Sequence, residues 1–167
     1  MNRTLAPALF VAILFATAPA LAQGKPDLQI TAFGFSGPTA NSVPKPTCQP
    51  NTVVYSFALV VTNAGTGPSP SSASLGGKPL LTVAAQDRAG WQVSLPLPEI
   101  PAGKTFSTTA DILFLAADPA YMVKANHPFL ATVDPANLVD EADETNNTKG
   151  PLTMGPPAGC ERFFKKK

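Results

Sequence analysis

The chain has 167 residues, of which 44% are hydrophobic and 14% are charged, and its formal net charge at pH 7 is +1. This balance excludes a general nucleic-acid-binding protein, which needs a basic surface. The 19 prolines and 12 glycines could indicate disorder, but the apolar fraction is high enough for a core and predicts one folded domain with prolines in its turns.

The first 22 residues have the layout of a secretory signal peptide. Arg3 precedes an uncharged apolar stretch at residues 5–20, and small residues flank a cleavage site after Ala22. The stretch contains two prolines and is shorter than the ~20 residues that span a bilayer. We therefore predict removal of residues 1–22 and export of a mature chain without a transmembrane segment to the periplasm or the medium.

The remaining chain shows apolar residues with a period of two, which sends alternate side chains to opposite faces of a sheet. Residues 27–35 predict a first strand, residues 36–50 a long proline-containing loop, and residues 51–63 the most regular strand. The faces predicted to point inward are Leu28, Ile30, Ala32 and Gly34 in the first strand, and Val53, Tyr55, Phe57, Leu59 and Val61 in the second.

The second half of the chain predicts five further short strands with turn residues between them. We place these strands at residues 79–85, 91–97, 104–115, 128–134 and 146–154. Gly150-Pro151 interrupts the last strand and predicts that it lies at a sheet edge. About seven strands predict an all-β fold, an immunoglobulin- or fibronectin-III-like antiparallel two-sheet sandwich. The domain would span residues 26–154, with an irregular insertion at 116–127 and a C-terminal tail at 155–167.

Four stretches of this pattern resemble the CARDB family, the cell-adhesion-related domain found in bacteria. They are Pro-Asp-Leu-Gln-Ile at 26–30, Val-Thr-Asn-Ala-Gly-Thr-Gly at 61–67, Ile-Pro-Ala-Gly-Lys-Thr at 100–105, and Val-Asp-Pro-Ala-Asn at 133–137 followed by Glu141, Glu144, Asn146 and Asn147. The resemblance implies an immunoglobulin-like sandwich on an exported bacterial protein and a binding or adhesion role.

An acidic loop, residues 135–145, follows the sixth predicted strand. It offers oxygen ligands of the kind that calcium prefers, but it lacks the central glycine and the spacing of an EF-hand. The residues that could form a weak calcium site are Asp134, Asn137, Asp140, Glu141, Asp143 and Glu144. The alternative, which we favour, is a loop shaped by hydrogen bonds from Asp and Asn side chains to nearby backbone. No other cofactor is predicted.

The sequence predicts no catalytic residues. His127 is the only histidine, it precedes Pro128, and no Gly-x-Ser-x-Gly elbow is present, so we interpret it as a loop histidine. An accessory hydrolase that uses two carboxylates of the acidic loop is a less favoured alternative. The favoured function is a non-enzymatic binding or adhesion module of the cell envelope, with a surface protein or a glycan as its partner, bound through loops or a strand edge.

Cys48 and Cys160 are the only cysteines and would meet an oxidising compartment after export. Because consecutive strands of a sandwich alternate in direction, the start of the second strand and the end of the seventh lie at the same end of the domain. Cys48 lies before that start and Cys160 beyond that end. We therefore predict a disulfide between them.

Overall fold

A computed structural model describes residues 24–35, 47–49, 52–115 and 126–154. These residues form eight β-strands in two sheets, every pairing is antiparallel, and no helix is found among them. The predicted all-β sandwich is thereby confirmed. The strands are β1 Leu28–Phe35, β2 Thr47–Gln49, β3 Thr52–Asn63, β4 Leu81–Ala85, β5 Gln92–Leu95, β6 Thr105–Leu115, β7 His127–Val133 and β8 Thr148–Met154.

The first sheet is built on β3. Strand β6 pairs with β3 over its residues 52–62 and so occupies one whole edge of it. Strands β1 and β2 therefore share the opposite edge, β1 along residues 57–63 and β2 along residues 52–54. The outer edge of β6 carries no strand within the described residues.

The second sheet has the strand order β5-β4-β7-β8. Strand β8 lies at an edge, as its Gly150-Pro151 pair predicted, and the peptide bond between these residues is cis. Gly150 has a φ of 128°, and a Cβ there would lie 2.8 Å from the carbonyl oxygen of Phe129, so glycine is required. The register of β7 against β8 shifts at the same level, between Phe129 and Ala131.

The core lies between the two sheets and is centred on aromatic rings. The ring of Phe57 in β3 lies 4.8 Å from that of Phe129 in β7, and Tyr55 lies 5.7 Å from Phe129. Burying each such ring contributes about 1.5–3 kcal/mol. The predicted inward face of β3 is confirmed where side chains are described, at Tyr55, Phe57, Leu59 and Val61, and β6 packs on the core through Phe106, Ala110 and Ile112.

The predicted inward face of β1 is wrong for the second half of the strand, after Ile30. Leu28 and Ile30 are buried, but the register against β3 shifts between Ile30 and Ala32. A β-bulge adds one residue and turns the following side chains to the other face. Ala32 is therefore exposed, whereas Phe33 packs on the core with its ring 5.5 Å from that of Phe57.

Two other expectations are also corrected. The predicted loop at 36–50 contains β2, whose three residues Thr47, Cys48 and Gln49 are too few to show a period of two. His127 is not a loop histidine, because it opens β7 and is fully buried.

Candidate binding site

The start of β1 is held by the turn at residues 63–67. The backbone N–H groups of Thr66 and Gly67 donate to the carbonyl oxygen of Lys25 at 3.0 and 3.1 Å, and that of Ala64 donates to Asp27 at 2.7 Å. The approach is so close that a Cβ on Gly65 or Gly67 would overlap the backbone of residues 24–27. The two glycines are therefore a steric requirement of this contact.

Asn63 organises this turn from a fully buried position. Its Nδ2 donates to the carbonyl oxygens of Gly67 and Ile100, both at 2.8 Å. Its Oδ1 accepts the N–H groups of Asp27 and Gly65, both at 3.0 Å. All the hydrogen-bonding capacity of the amide is used, which joins β1, the 63–67 turn and the segment before β6.

Asp134 shapes the acidic loop, as the favoured prediction has it. Its carboxylate accepts the N–H groups of Leu138 at 2.9 Å and Val139 at 2.8 Å, and the residue is 4% exposed. Its φ of 43° and the φ of 50° at Asn137 set a tight left-handed turn that Asp and Asn tolerate.

Glu141 connects the acidic loop to β1. Its Oε2 accepts the N–H of Leu28 at 2.5 Å, and its Oε1 lies 3.4 Å from the amide nitrogen of Asn147. Burial raises the pKa of Glu141 to about 7; the Leu28 N–H opposes this rise, and the neighbouring carboxylates add to it. Glu141 is thus a buried carboxyl group with acidic neighbours, and its hydrogen bond with Leu28 holds the start of β1 in place.

The other acidic side chains are exposed and serve local contacts. Asp140 pairs with Lys25 at 2.6 Å, and Glu144 accepts the N–H of Glu141 at 3.1 Å. Asp143 accepts both the N–H and the hydroxyl of Thr145, which lowers its pKa. Among the residues that the structure describes, no three His, Cys, Asp or Glu side chains are grouped to hold a metal ion. The weak calcium site stays a prediction.

His127 lies in an aromatic and charged cluster at one end of the second sheet. Its Nδ1 is 2.9 Å from Oδ2 of Asp87, and its ring meets Trp91 edge-on at 5.7 Å. The guanidinium of Arg88 covers the ring of Trp91 at 4.5 Å. Trp91 therefore packs against the protein, and Arg88 covers one face of its ring. That face is not open to stack on a sugar, a role that a tryptophan can have.

Four predictions fall wholly or largely on parts of the chain outside the described residues. These are the signal peptide at 1–22, the irregular insertion at 116–127, the C-terminal tail at 155–167, and Cys160. The backbone of Cys48 lies in β2, opposite Val53, but its side chain is not described. The disulfide stays a prediction. No helix in the described part of the chain has the length and apolarity to cross a membrane.

The solvent face of the second sheet carries a cleft beside the acidic loop, which we call the outer cleft. Its volume is about 360 Å³. One wall is the turn at Pro135, Ala136 and Leu138, and the floor is the strand pair β4 and β5, where Thr82 and Ser94 hydroxyls lie 3.0 Å apart. Lys78, Pro79 and Gln92 complete the lining. The cleft thus combines hydroxyl, amide and ammonium groups with an apolar rim.

A comparison with protein families decides the classification. The CARDB family model matches residues 25–150, which include all of the strands except the end of β8. The chain belongs to the CARDB family. No curated protein matches it. Among solved structures, the chain is similar to the NMR structure of a domain from a "putative cell surface protein" of Methanosarcina acetivorans. The two are 21% identical, the match covers 78% of this chain and 92% of that one, and the TM-score is 0.49.

Proposed function

We propose that this CARDB protein is an exported, non-catalytic module of the bacterial cell envelope that binds a glycan in the outer cleft. The observation that carries the proposal is the lining of the cleft. Lys78, Gln92 and Ser94 present an ammonium, an amide and a hydroxyl to solvent, and Pro79, Pro135 and Leu138 form an apolar shelf beside them. A sugar ring has the matching features, with hydroxyl edges and an apolar C–H face.

The size of the cleft favours a glycan over a protein surface. A cavity of about 360 Å³ is at the small end of the range in which small-molecule sites lie. A stable protein interface needs roughly 800 Å² from each partner, which this concave site alone does not offer. Among the described residues that line the cleft, Lys78 alone is charged, so a sugar carrying a carboxylate or phosphate is the preferred ligand.

The carboxylate arrangement does not support the hydrolase alternative. Asp140, Asp143 and Glu144, the exposed acids of the loop, line neither the outer cleft nor the shallow depression between β3 and β6. Asp134 and Glu141 are buried and their oxygens accept backbone N–H groups of the fold. Asp134 and Glu141 thus support the structure, and no pair of carboxyl groups lines either of these two depressions among the residues that the structure describes.

A binding assay with isolated envelopes tests the proposal. Labelled mature protein, residues 23–167, is titrated against envelopes left intact, treated with protease, or oxidised with periodate. We expect binding that survives protease and is lost after periodate. Loss of binding after protease but not after periodate would indicate a protein partner instead of a glycan. Absence of binding to intact envelopes would overturn the proposal.

Matched lysine variants locate the site. Lys78→Ala removes the cleft ammonium, whereas Lys149→Ala removes an exposed lysine of β8 that does not line the cleft. Loss of one charge-assisted contact should weaken envelope binding by about tenfold in Lys78→Ala. Lys149→Ala should bind as the unaltered protein does. Equal effects of the two substitutions would contradict the assignment to the outer cleft.

A further inference from the structure

The four outer edges of the two sheets differ in how they resist the addition of another strand. Native proteins protect such edges with short strands, prolines, lysines or bulges. Strand β5 has four residues and ends before Pro96, and β8 contains Lys149 and the cis Gly150-Pro151 bond. Strand β1 carries the bulge at Ile30 and shares its edge of β3 with β2.

Strand β6 has none of these protections. It runs for eleven residues, Thr105–Leu115, without proline or lysine. Its register against β3 continues from Thr52 to Thr62 without a shift. The outer edge of β6 is thus long, regular and uncharged except for Asp111.

The hydrogen bonds of Asn63 show which backbone groups of β6 point outward. Asn63 donates its N–H to the carbonyl of Lys104 at 2.9 Å, in line with the pairing of Thr62 with Thr105. Successive residues of a strand direct their backbone groups to alternate edges. The even-numbered residues of β6 therefore bond to β3, and the odd-numbered ones direct their N–H and C=O groups to the open edge.

The residue order of β6 is complementary to itself. In an antiparallel pair of two copies centred on Thr108, Thr105 lies opposite Asp111, Phe106 opposite Ala110, and Ser107 opposite Thr109. Each pair combines a hydroxyl with a hydroxyl or carboxylate, or a large apolar side chain with a small one, as favourable cross-strand pairs do. The two Asp111 side chains lie about 20 Å apart along the strands, at ~3.4 Å per residue.

Polar contacts on the outer face also favour a second copy. In that register the carboxylate of each Asp111 lies opposite the hydroxyl of Thr105 of the other copy, and both residues are exposed. Lys104 lies opposite Ile112 and on the other face of the strand, so it is not a partner of Asp111 in this register. Two symmetric hydrogen bonds from hydroxyl to carboxylate would then flank the shared strands.

We propose that the open edge of β6 is a self-association surface, through which two copies of the protein join β6 to β6 into one continuous sheet. This goes beyond the proposed glycan binding, since the outer cleft lies on the other sheet. The pairing strand is a second copy, held by backbone hydrogen bonds from Thr105, Ser107, Thr109 and Asp111.

The first test compares two substitutions at one position. Thr109→Pro removes an outward N–H without breaking a bond to β3, whereas Thr109→Ala keeps that N–H. In sedimentation velocity on the mature protein, we expect a concentration-dependent dimer for the unaltered chain and for Thr109→Ala, and a monomer for Thr109→Pro with its melting temperature retained. A monomer at every concentration up to ~1 mM in the unaltered protein would overturn the proposal, as would a dimer in Thr109→Pro.

The second test introduces a charge opposite Asp111. Thr105→Asp places two carboxylates opposite each other at both ends of the shared strands and should weaken the dimer at low salt by about fivefold to thirtyfold, since two like-charge contacts of roughly 0.5–1 kcal/mol each are created. The double variant Thr105→Asp with Asp111→Lys places opposite charges there and should recover the dimer. Failure of this recovery would show that a different strand, and not a second copy, occupies the edge. Envelope binding through Lys78 should be unchanged by both variants, so the two proposals fail independently.

Discussion

Two sides of the sandwich differ in how their strands are covered: the side where β1 begins is enclosed by hydrogen bonds, whereas the side where β6 runs has an open strand edge among the described residues. At the first, residues 24–28 are enclosed by the 63–67 turn and the acidic loop through backbone and buried side-chain hydrogen bonds. At the second, the outer edge of β6 presents a full row of backbone groups and carries no strand among the described residues. Three of the four stretches that resemble CARDB, at 26–30, 61–67 and 133–147, lie on the enclosed side, whereas the proposed contact with a second copy lies on the open side.

The largest loss on the enclosed side should come from Asn63→Ala. The change leaves two buried carbonyl oxygens and two N–H groups without the amide that bonds them. We expect the free energy of unfolding to fall by about 3–5 kcal/mol in urea denaturation. Ser107→Ala on the open side is the control and should change it by less than about 0.5 kcal/mol. Similar losses of stability in Asn63→Ala and Ser107→Ala would contradict the difference between the enclosed side and the open side.

Gly65→Ala should cost somewhat less, about 2–4 kcal/mol, because the backbone of residues 24–27 must move away from the new methyl group. Gly34→Ala is a matched control, since a Cβ at Gly34 meets no atom within 4 Å. That control should be neutral or stabilising by roughly 0.5–1 kcal/mol. Thermal melts of both variants measure the difference, and an undiminished melting temperature in Gly65→Ala would show that residues 24–27 are loosely held.

Glu141 should make the enclosed side sensitive to pH. Its pKa rises from 4.5 to about 7 on folding, so the folded protein binds the proton more tightly than the unfolded chain. The stabilisation is fully present below pH 4.5, declines as the pH rises, and is lost above about 7. The total decline from this group is up to about 3 kcal/mol.

Denaturation profiles between pH 4 and 8 check this expectation. Glu141→Gln removes the titrating group and should flatten that part of the profile, whereas Glu144→Gln should leave a decline in place. A decline that persists unchanged in Glu141→Gln would assign the pH dependence to another residue.

The smallest effect is expected for calcium. Asp140 is exposed and already paired with Lys25, and such a surface pair contributes up to about 1 kcal/mol. We expect melting temperatures with Ca²⁺ and with chelator to agree, and Asp140→Asn to behave as the unaltered protein does. A calcium-dependent rise that disappears in Asp140→Asn would establish the weak calcium site and change the role of the acidic loop.

The sequence predicted the regular strands well because their apolar period is long and uninterrupted. The inward face of β3 follows directly from its alternation. Strand β1 was half wrong because a bulge inserts one residue at a position that no turn or proline marks. Strand β2 was missed because three residues of backbone pairing leave no apolar pattern.

The site was predicted less completely because burial of polar groups is not visible in composition. The cluster of acids was evident, but nothing in its spacing separates Glu141, which is 4% exposed, from its exposed neighbour Asp140. Asn63 was identified as part of the CARDB-like stretch at 61–67, whereas the hydrogen bonds of its amide depend on residues up to 37 positions away. The outer cleft joins β4, β5 and the acidic loop, a proximity that only the tertiary fold creates.

The contacts that hold the start of β1 also determine when the fold can be completed. Leu28 bonds to a residue 113 positions later, and Asp27 to one 119 positions later. Contacts of such long sequence separation form late, because the chain entropy of a large loop is lost before they are gained. We therefore expect the enclosed side of the sandwich to close only after Asn146 has been synthesised. Such late closure would suit the proposed export, in which the chain crosses a membrane before it folds.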